Sequence, residues 1–255
     1  MSKTIWILVI ILVTLVWALA AFAGPSEDAR ARELARKIDD LYRSESSYAQ
    51  IEMEIVTPDW RRTLVLKGWT RGQTKTLIRI LEPKKEAGTG TLRLGNEMWN
   101  YLPKTDKVIK IPPSMMMSSW MGSDFTNDDL VKEFTFVNDF DFRMVSPADA
   151  EKGRMYLECR PKPGVAVVWD KIVIAVDETS TLPVWQKFYD EKGRVARIMT
   201  YGDIRTFGRR TVPAVMEMVP QTKTGYKTVL RYRDIQFDPA LKDDVFTLRA
   251  LQSGK

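Results

Sequence analysis

The residues able to do chemistry in this chain are few, and their types exclude most of it. Histidine is absent from all 255 residues. That removes Ser-His-Asp and Cys-His nucleophilic catalysis, imidazole acid–base transfer and histidine-ligated zinc. The single cysteine, Cys159, shares strand parity with Met155 and Leu157, so a buried, unreactive thiol is expected. Alone it can neither close an internal disulfide nor build a thiolate metal cage. Two groups remain. Asp124, Asp128 and Asp129 are close in sequence but lack the alternating ligands and central glycine of an EF-hand loop. Carboxylates in the first turn of a helix answer its dipole with no metal at all. Met115, Met116, Met117 and Met121 fall with Trp120 within seven residues, four of the chain's 12 methionines. Thioethers suit Cu(I), but three of these are consecutive and no histidine or second cysteine assists them. No metal or other cofactor is expected. What a methionine cluster does well is repack around irregular apolar partners, so the chemistry indicated is binding and not catalysis.

The segment carrying that cluster, 112–130, fits neither the strand pattern before it nor the one after it. Pro112 and Pro113 stiffen its start, Gly122 breaks it, and Thr126-x-x-Asp129 reads as a capping box opening a short helix. It is either a helical crossing that plugs a core or a lid over an apolar cavity. In a strand-rich, exported chain with no catalytic set the lid is the preferred reading. Cavity and lid contacts are then expected from Met115, Met116, Met117, Trp120, Met121, Phe125 and Leu130, and from the strand residues Ile78, Ile80, Trp99 and Tyr101. Arg79 sits between Ile78 and Ile80 in an otherwise apolar strand. It is either an arginine snorkelling from a sheet edge or a donor to lid carbonyls that holds the lid shut.

These residues need a frame. From Ser26 to about Ser44 the spacing is helical, with Leu34, Ile38, Leu41 and Tyr42 on one stripe and Ser26 as N-cap. The period then changes to two: Ala49, Ile51, Met53 and Ile55 alternate with Gln50, Glu52 and Glu54. Strands follow near 62–70, 74–81, 90–95, 97–102 and 107–111. After the methionine-rich segment they resume near 134–145, 154–161, 166–177, 184–190, 194–201, 211–219 and 226–237. The tail reads as a turn and a short closing segment around Val245 and Phe246. A dozen or so strands without a helical crossover predict a mainly β fold. The expected form is a single antiparallel sheet curved into a half-open barrel, with the N-terminal helix and short lid helices covering an apolar cavity. No Pro-, Gly- or Ser-rich linker divides the chain, so residues 24–255 read as one domain.

Residues 1–23 have the pattern of a cleavable signal peptide: Lys3, an apolar run from Ile5 to Ala20, and Ala21-Phe22-Ala23 in the A-x-A form. Cleavage there would start the mature chain at Gly24. Removing Lys3 from 39 basic against 33 acidic residues leaves 38 − 33 = +5. Export is the firmest functional expectation. Basic and acidic residues are interleaved, so nucleic acid is not an expected partner, whereas a mild preference for anionic membrane surfaces is. Strand aromatics such as Trp60, Trp69, Trp169 and Trp185 read as core residues that would meet a ligand only if the barrel is hollow.

Two motifs, with further pieces around them, carry a family resemblance. They are Leu94-Gly95-Asn96-Glu97-Met98-Trp99-Asn100-Tyr101-Leu102-Pro103, followed by Val108, and Met121-Gly122-Ser123-Asp124-Phe125-Thr126 running on to Asp129-Leu130. Ile78-Arg79-Ile80-Leu81-Glu82-Pro83 and Gly88-Thr89-Gly90 precede them, and Leu182-Pro183, Tyr189-Asp190 and Gly193 follow. In these the chain resembles the LolA/LolB superfamily of periplasmic lipoprotein carriers, and more closely the larger group of outer-membrane lipoprotein-sorting proteins. The resemblance implies a half-open barrel whose cavity holds acyl chains of a lipoprotein or lipid, with no enzymatic activity. By position Arg79 is similar to the strand arginine that latches the lid in classical carriers. It also implies a monomer loaded by an inner-membrane transporter of ABC or RND type and unloaded to an outer-membrane acceptor. The other function open to the same fold is a non-transporting structural or sensory lipid-binding domain of the envelope.

Overall fold

The computed structural model describes residues 26–132, 136–165 and 167–253. The expected signal peptide, residues 1–23, lies outside the described residues. One amphipathic helix, α1 (Glu27–Asp39), opens the described chain, with Ser26 Oγ accepting from the Ala29 amide at 3.3 Å as its cap. Thirteen strands follow, all in one sheet whose neighbours pair antiparallel. They are β1 (Ser46–Val56), β2 (Arg61–Arg71), β3 (Lys75–Glu82), β4 (Gly90–Leu94), β5 (Glu97–Leu102), β6 (Lys107–Lys110), β7 (Phe140–Val145), β8 (Arg154–Pro161), β9 (Lys171–Asp177), β10 (Pro183–Tyr189), β11 (Val195–Phe207), β12 (Arg210–Pro220) and β13 (Lys227–Phe237).

The order across the sheet explains the architecture. It runs β6-β5-β4-β3-β2-β1-β13-β12-β11-β10-β9-β8-β7. The chain therefore starts at the middle, meanders out to the β6 edge, jumps to the opposite β7 edge and meanders back until β13 pairs with β1. Adjacent strands are joined by short turns, none longer than the nine residues 162–170, whereas the jump takes residues 111–139. A connection of that length inside a compact domain is uncommon and is typically a functional loop. Here it has to span from edge to edge, and in a twisted, curling sheet the shortest route lies over the concave face. The edges β6 and β7 do not pair with each other, so the barrel is half-open, as expected.

Registry shows which residues face the hollow. Leu157 pairs with Ile174, Ile172 with Phe188, Met199 with Met218, Met216 with Leu230, Leu230 with Met53, and Met53 with Leu64. Directly paired residues share a face, so these fall on one largely apolar surface, interrupted at β10–β11, where Phe188 pairs with Arg197 and Met199 with Gln186. Helix α1 covers its β7–β8 end, with Ala31, Leu34 and Ala35 packed among Phe140, Phe142, Leu157 and Cys159. Burial pushes the Cys159 thiol pKa well above its ordinary value, the inert state expected of it.

Two local expectations are corrected. Of the strand expected over 134–145, residues 134–135 lie outside the described residues, and the described part begins only at Phe140, after a helical turn, α3 (Phe136–Asp139). In it Phe136 turns toward Phe140 and Phe142, with ring centroids 5.3 and 5.2 Å away, so the apolar alternation that suggested a strand is satisfied by a turn of helix. The tail is not just a closing segment. A 3₁₀ turn at Asp243–Phe246 and helix α4 (Leu248–Ser253) cover the back of β3–β5, where Phe246 and Leu251 pack on Leu77, Leu92 and Tyr101. Gly90 marks how closely that helix approaches: a Cβ there would lie 2.8 Å from Leu251 Cδ1.

Candidate functional site

Between the α1 end of the concave face and the crossing segment lies a cavity of about 250 Å³. Its walls are predominantly apolar, including Ile172, Ile174, Phe188, Met199, Met218 and Leu230. Polar side chains reach it as well: Asp39 and Arg43 just past α1, Gln186 and Tyr201 on the strands, and Arg197 with Asp128 and Asp129 at the crossing segment. Asp39 and Arg43 pair at 2.7 Å, and burial raises the Asp39 carboxyl above the ordinary range despite its partner.

The crossing segment folds on itself before it meets the sheet. Trp120 N donates to Phe125 O at 2.7 Å, Asn127 N to Ser118 O at 3.0 Å, and Asp128 N to Met116 O at 2.7 Å. Helix α2 (Asn127–Lys132) opens on the expected capping box: Thr126 N donates to Asp129 Oδ2 at 2.7 Å and Asp129 N to Thr126 Oγ1 at 3.1 Å. The unit is then pinned to polar side chains from four strands. Trp120 Nε1 donates to Thr91 Oγ1 at 3.1 Å, and Thr228 Oγ1 donates to Asp124 Oδ2 at 2.7 Å. Arg62 donates to the Met121 carbonyl. Arg197 grips Asp129 with two nitrogens, at 2.8 and 2.5 Å. Burial raises the Asp124 carboxyl above its usual range, partly offset by the Thr228 bond.

Arg197 is the contact that sequence reasoning missed. It is 4% exposed, and its guanidinium lies 4.5 Å from the Trp169 ring centroid and 4.1 Å from that of Phe188. Bidentate geometry with a carboxylate and stacking on aromatic faces are what an arginine does and a lysine cannot. The available signal was parity: Arg197 alternates with Met199 and Tyr201. Ala196 and Ile198 make the opposite parity equally apolar, so the strand did not reveal which side was inside.

The structure divides the expected site residues. Trp120, Phe125 and Leu130 line the cavity. Trp120 is 4% exposed and packs with Met53, Ile55, Leu64, Leu66 and Ile80, with Met121 and Ile78 beside it. Met115 and Met117 are 48% and 42% exposed, and Met116 is half-buried. These three stand outside the cavity wall, where the backbone of 115 and 116 bonds to α2. Trp99 and Tyr101 lie on the opposite face from Ile78 and Ile80, against the C-terminal segment. Of the strand aromatics, Trp169 reaches the cavity and Trp60 is exposed.

Arg79 follows the same alternation. With Ile78 and Ile80 turned to the concave side, Arg79 must point to the back. It is 3% exposed and donates to Gly88 O at 3.2 Å, Ala250 O at 2.7 Å and Leu251 O at 3.0 Å. The carbonyls it reaches are thus those of Gly88 and α4, not of segment 112–130, which corrects the expected bond to lid carbonyls. Burial lowers its pKa, and the last-turn carbonyls of a helix are a favourable place for a cation. Arg79→Leu is therefore expected to remove about 1.5–3 kcal/mol of stability, the range for hydrogen bonds to a charged group, and to free α4 to hydrogen exchange. Exchange measured by mass spectrometry over 246–253 checks this; protection unchanged from wild type would contradict it.

Comparison with solved structures finds the same architecture repeatedly. A DUF1329 family protein from Desulfovibrio piger superposes with a TM-score of 0.79 at 22% identity, over 89% of this chain and 100% of that one. An outer-membrane lipoprotein-sorting protein domain from Vibrio parahaemolyticus gives 0.75 at 22% identity, over 88% and 98%. A LolA superfamily protein from Nitrosomonas europaea gives 0.72 at 20% identity, over 86% and 98%. No curated protein matches the sequence. A family model described as "Uncharacterized protein" matches residues 72–253, well over half of the chain, so the chain belongs to that family, and its fold is LolA-like.

Proposed function

We propose that this protein is a non-enzymatic periplasmic carrier that shelters an acyl chain of a lipoprotein or lipid and moves it between the inner and outer membranes. The observation that carries this reading is the largely apolar cavity of about 250 Å³ on the concave face, bordered by a segment that rests on the sheet through polar pins. A solid core needs no such arrangement. A carrier does, because it must take up apolar surface and later release it. Burying a methylene is worth about 0.8 kcal/mol, so a sixteen-carbon chain gains on the order of 12 kcal/mol in bilayer or cavity alike. A cavity that matches the membrane can exchange cargo with it; one that greatly exceeded it could not unload. Pins of a few kcal/mol suit that near-balance, and an inner-membrane transporter of ABC or RND type supplies the energy for loading, with an outer-membrane acceptor downstream.

Titration with a fluorescent fatty-acyl probe tests the reading. Wild type is expected to bind with a micromolar or tighter Kd. Leu230→Asp, which places a carboxylate on the cavity wall, is expected to weaken binding at least tenfold, since an unpaired charge in an apolar site is costly. Absence of probe binding by wild type, together with no lipid co-purifying in native mass spectrometry, would overturn the carrier.

A further inference from the structure

The Arg197 guanidinium carries a donor that the lid does not use. Its two terminal nitrogens hold Asp129, yet Nε is buried and has no hydrogen-bond acceptor among the described residues. The Nε atoms of Arg62, Arg93 and Arg154 share this state, so what sets Arg197 apart is its place on the cavity. Arg197 lines the cavity, and the side chains packed on its flat face are Trp169 and Phe188, which offer no acceptor oxygen.

Asp129, the counter-charge, belongs to the element that has to move. On the carrier reading a guest enters by displacing α2, and Asp129 leaves with it. The carboxylate is not stranded by the move, because the Thr126 amide and hydroxyl, 2.7 and 2.9 Å away in its own capping box, travel with it. Arg197 stays in β11, and where a guest excludes water from it the cation is strongly unfavourable unless another acceptor replaces the lost one. The open state thus asks for a guest that brings oxygen acceptors to the head of its chain.

We propose that Arg197 reads the polar head of the cargo: the carboxylate or ester carbonyl of an acyl ligand takes the guanidinium from Asp129, so that recognition of the head and release of the lid are one exchange. This inference rests on the carrier reading and adds to it the class of ligand, an acyl chain ending in acceptor oxygens.

Displacement of N-phenyl-1-naphthylamine, a neutral apolar fluorophore, from the full chain tests it with three ligands of matched length. Dodecanoate carries a carboxylate, methyl dodecanoate only an ester carbonyl, and dodecane neither. Wild type is expected to prefer dodecanoate to dodecane by roughly ten- to a hundredfold, as for a hydrogen bond to a charged group. The position of the methyl ester between them distinguishes a fatty carboxylate from an acyl ester as the natural head. In Arg197→Met the dodecanoate-to-dodecane ratio is expected to fall to within about twofold, and Asp129→Asn, which weakens the competitor, is expected to raise it severalfold. A wild-type ratio retained in folded Arg197→Met overturns the proposal. If circular dichroism shows that variant unfolded, Asp129→Asn decides, and an unchanged ratio there overturns it too. If none of the three ligands displaces the fluorophore from wild type, the carrier reading itself fails and this inference with it.

Discussion

Replacing Trp120 by alanine is expected to lower the unfolding free energy by about 3–5 kcal/mol, the usual loss for a large aromatic removed from a packed site. The indole fills the concave face of β1–β3, against Met53, Ile55, Leu64, Leu66 and Ile80. Truncation forfeits those contacts and leaves Thr91 Oγ1 without its indole donor, though still donating to Asn100 Oδ1 at 2.7 Å. Trp120 also forms part of the cavity wall, so the same change merges the cavity with the space the indole vacates. Acyl-probe binding should therefore loosen in specificity while the lid loses protection from hydrogen exchange. Urea denaturation gives the first quantity and exchange over 113–132 the second. A stability loss under about 1 kcal/mol would show that the crossing segment rests on the sheet too weakly for Trp120 to be its anchor.

The second large effect is expected at the pin between α2 and β11. Removing one partner of a buried ion pair typically costs about 3–5 kcal/mol, because the survivor is left uncompensated. Arg197→Met should fall somewhat below that range, at about 2–4 kcal/mol, since the Asp129 side chain is 21% exposed and keeps its two Thr126 bonds. Asp129→Leu should be worse, because it strands the more deeply buried cation and abolishes the capping box as well. In the double variant both charges are gone, and the losses should be less than additive by about 0.5–3 kcal/mol, the range for residues in direct contact. Denaturant midpoints of the four proteins complete the cycle. Strict additivity would mean that the pair, despite its geometry, does not hold the lid.

The elements of this fold were legible because each carries a periodic signal. The 3.6-residue stripe gave α1, the two-residue alternation gave nearly all of the strands, and the Thr126-x-x-Asp129 spacing gave the opening of α2. Where the pattern failed, at 136–139, a few apolar residues suit a turn of helix as well as a strand end, and only packing chooses between them. The lid was legible as an interruption: a stretch of prolines and methionines that neither period could absorb.

What the sequence by itself determined was composition and local order. It contains no histidine, it offers no complete catalytic or metal set, and it alternates as a long antiparallel meander. It placed Ile78, Arg79 and Ile80 side by side without saying which face each takes, so that the two isoleucines pack with Trp120 on the concave side and the arginine grips α4 from the back. It placed Asp129 in a capping box but not against Arg197, 68 residues away. That pairing exists only because β6 and β7 occupy opposite edges of the sheet and the chain must cross the concave face to join them. Local periodicity is a property of a few consecutive residues, and sequence carries it directly. Which face closes over which is set by the curvature and strand order of the whole sheet, and that was decided only in the tertiary structure.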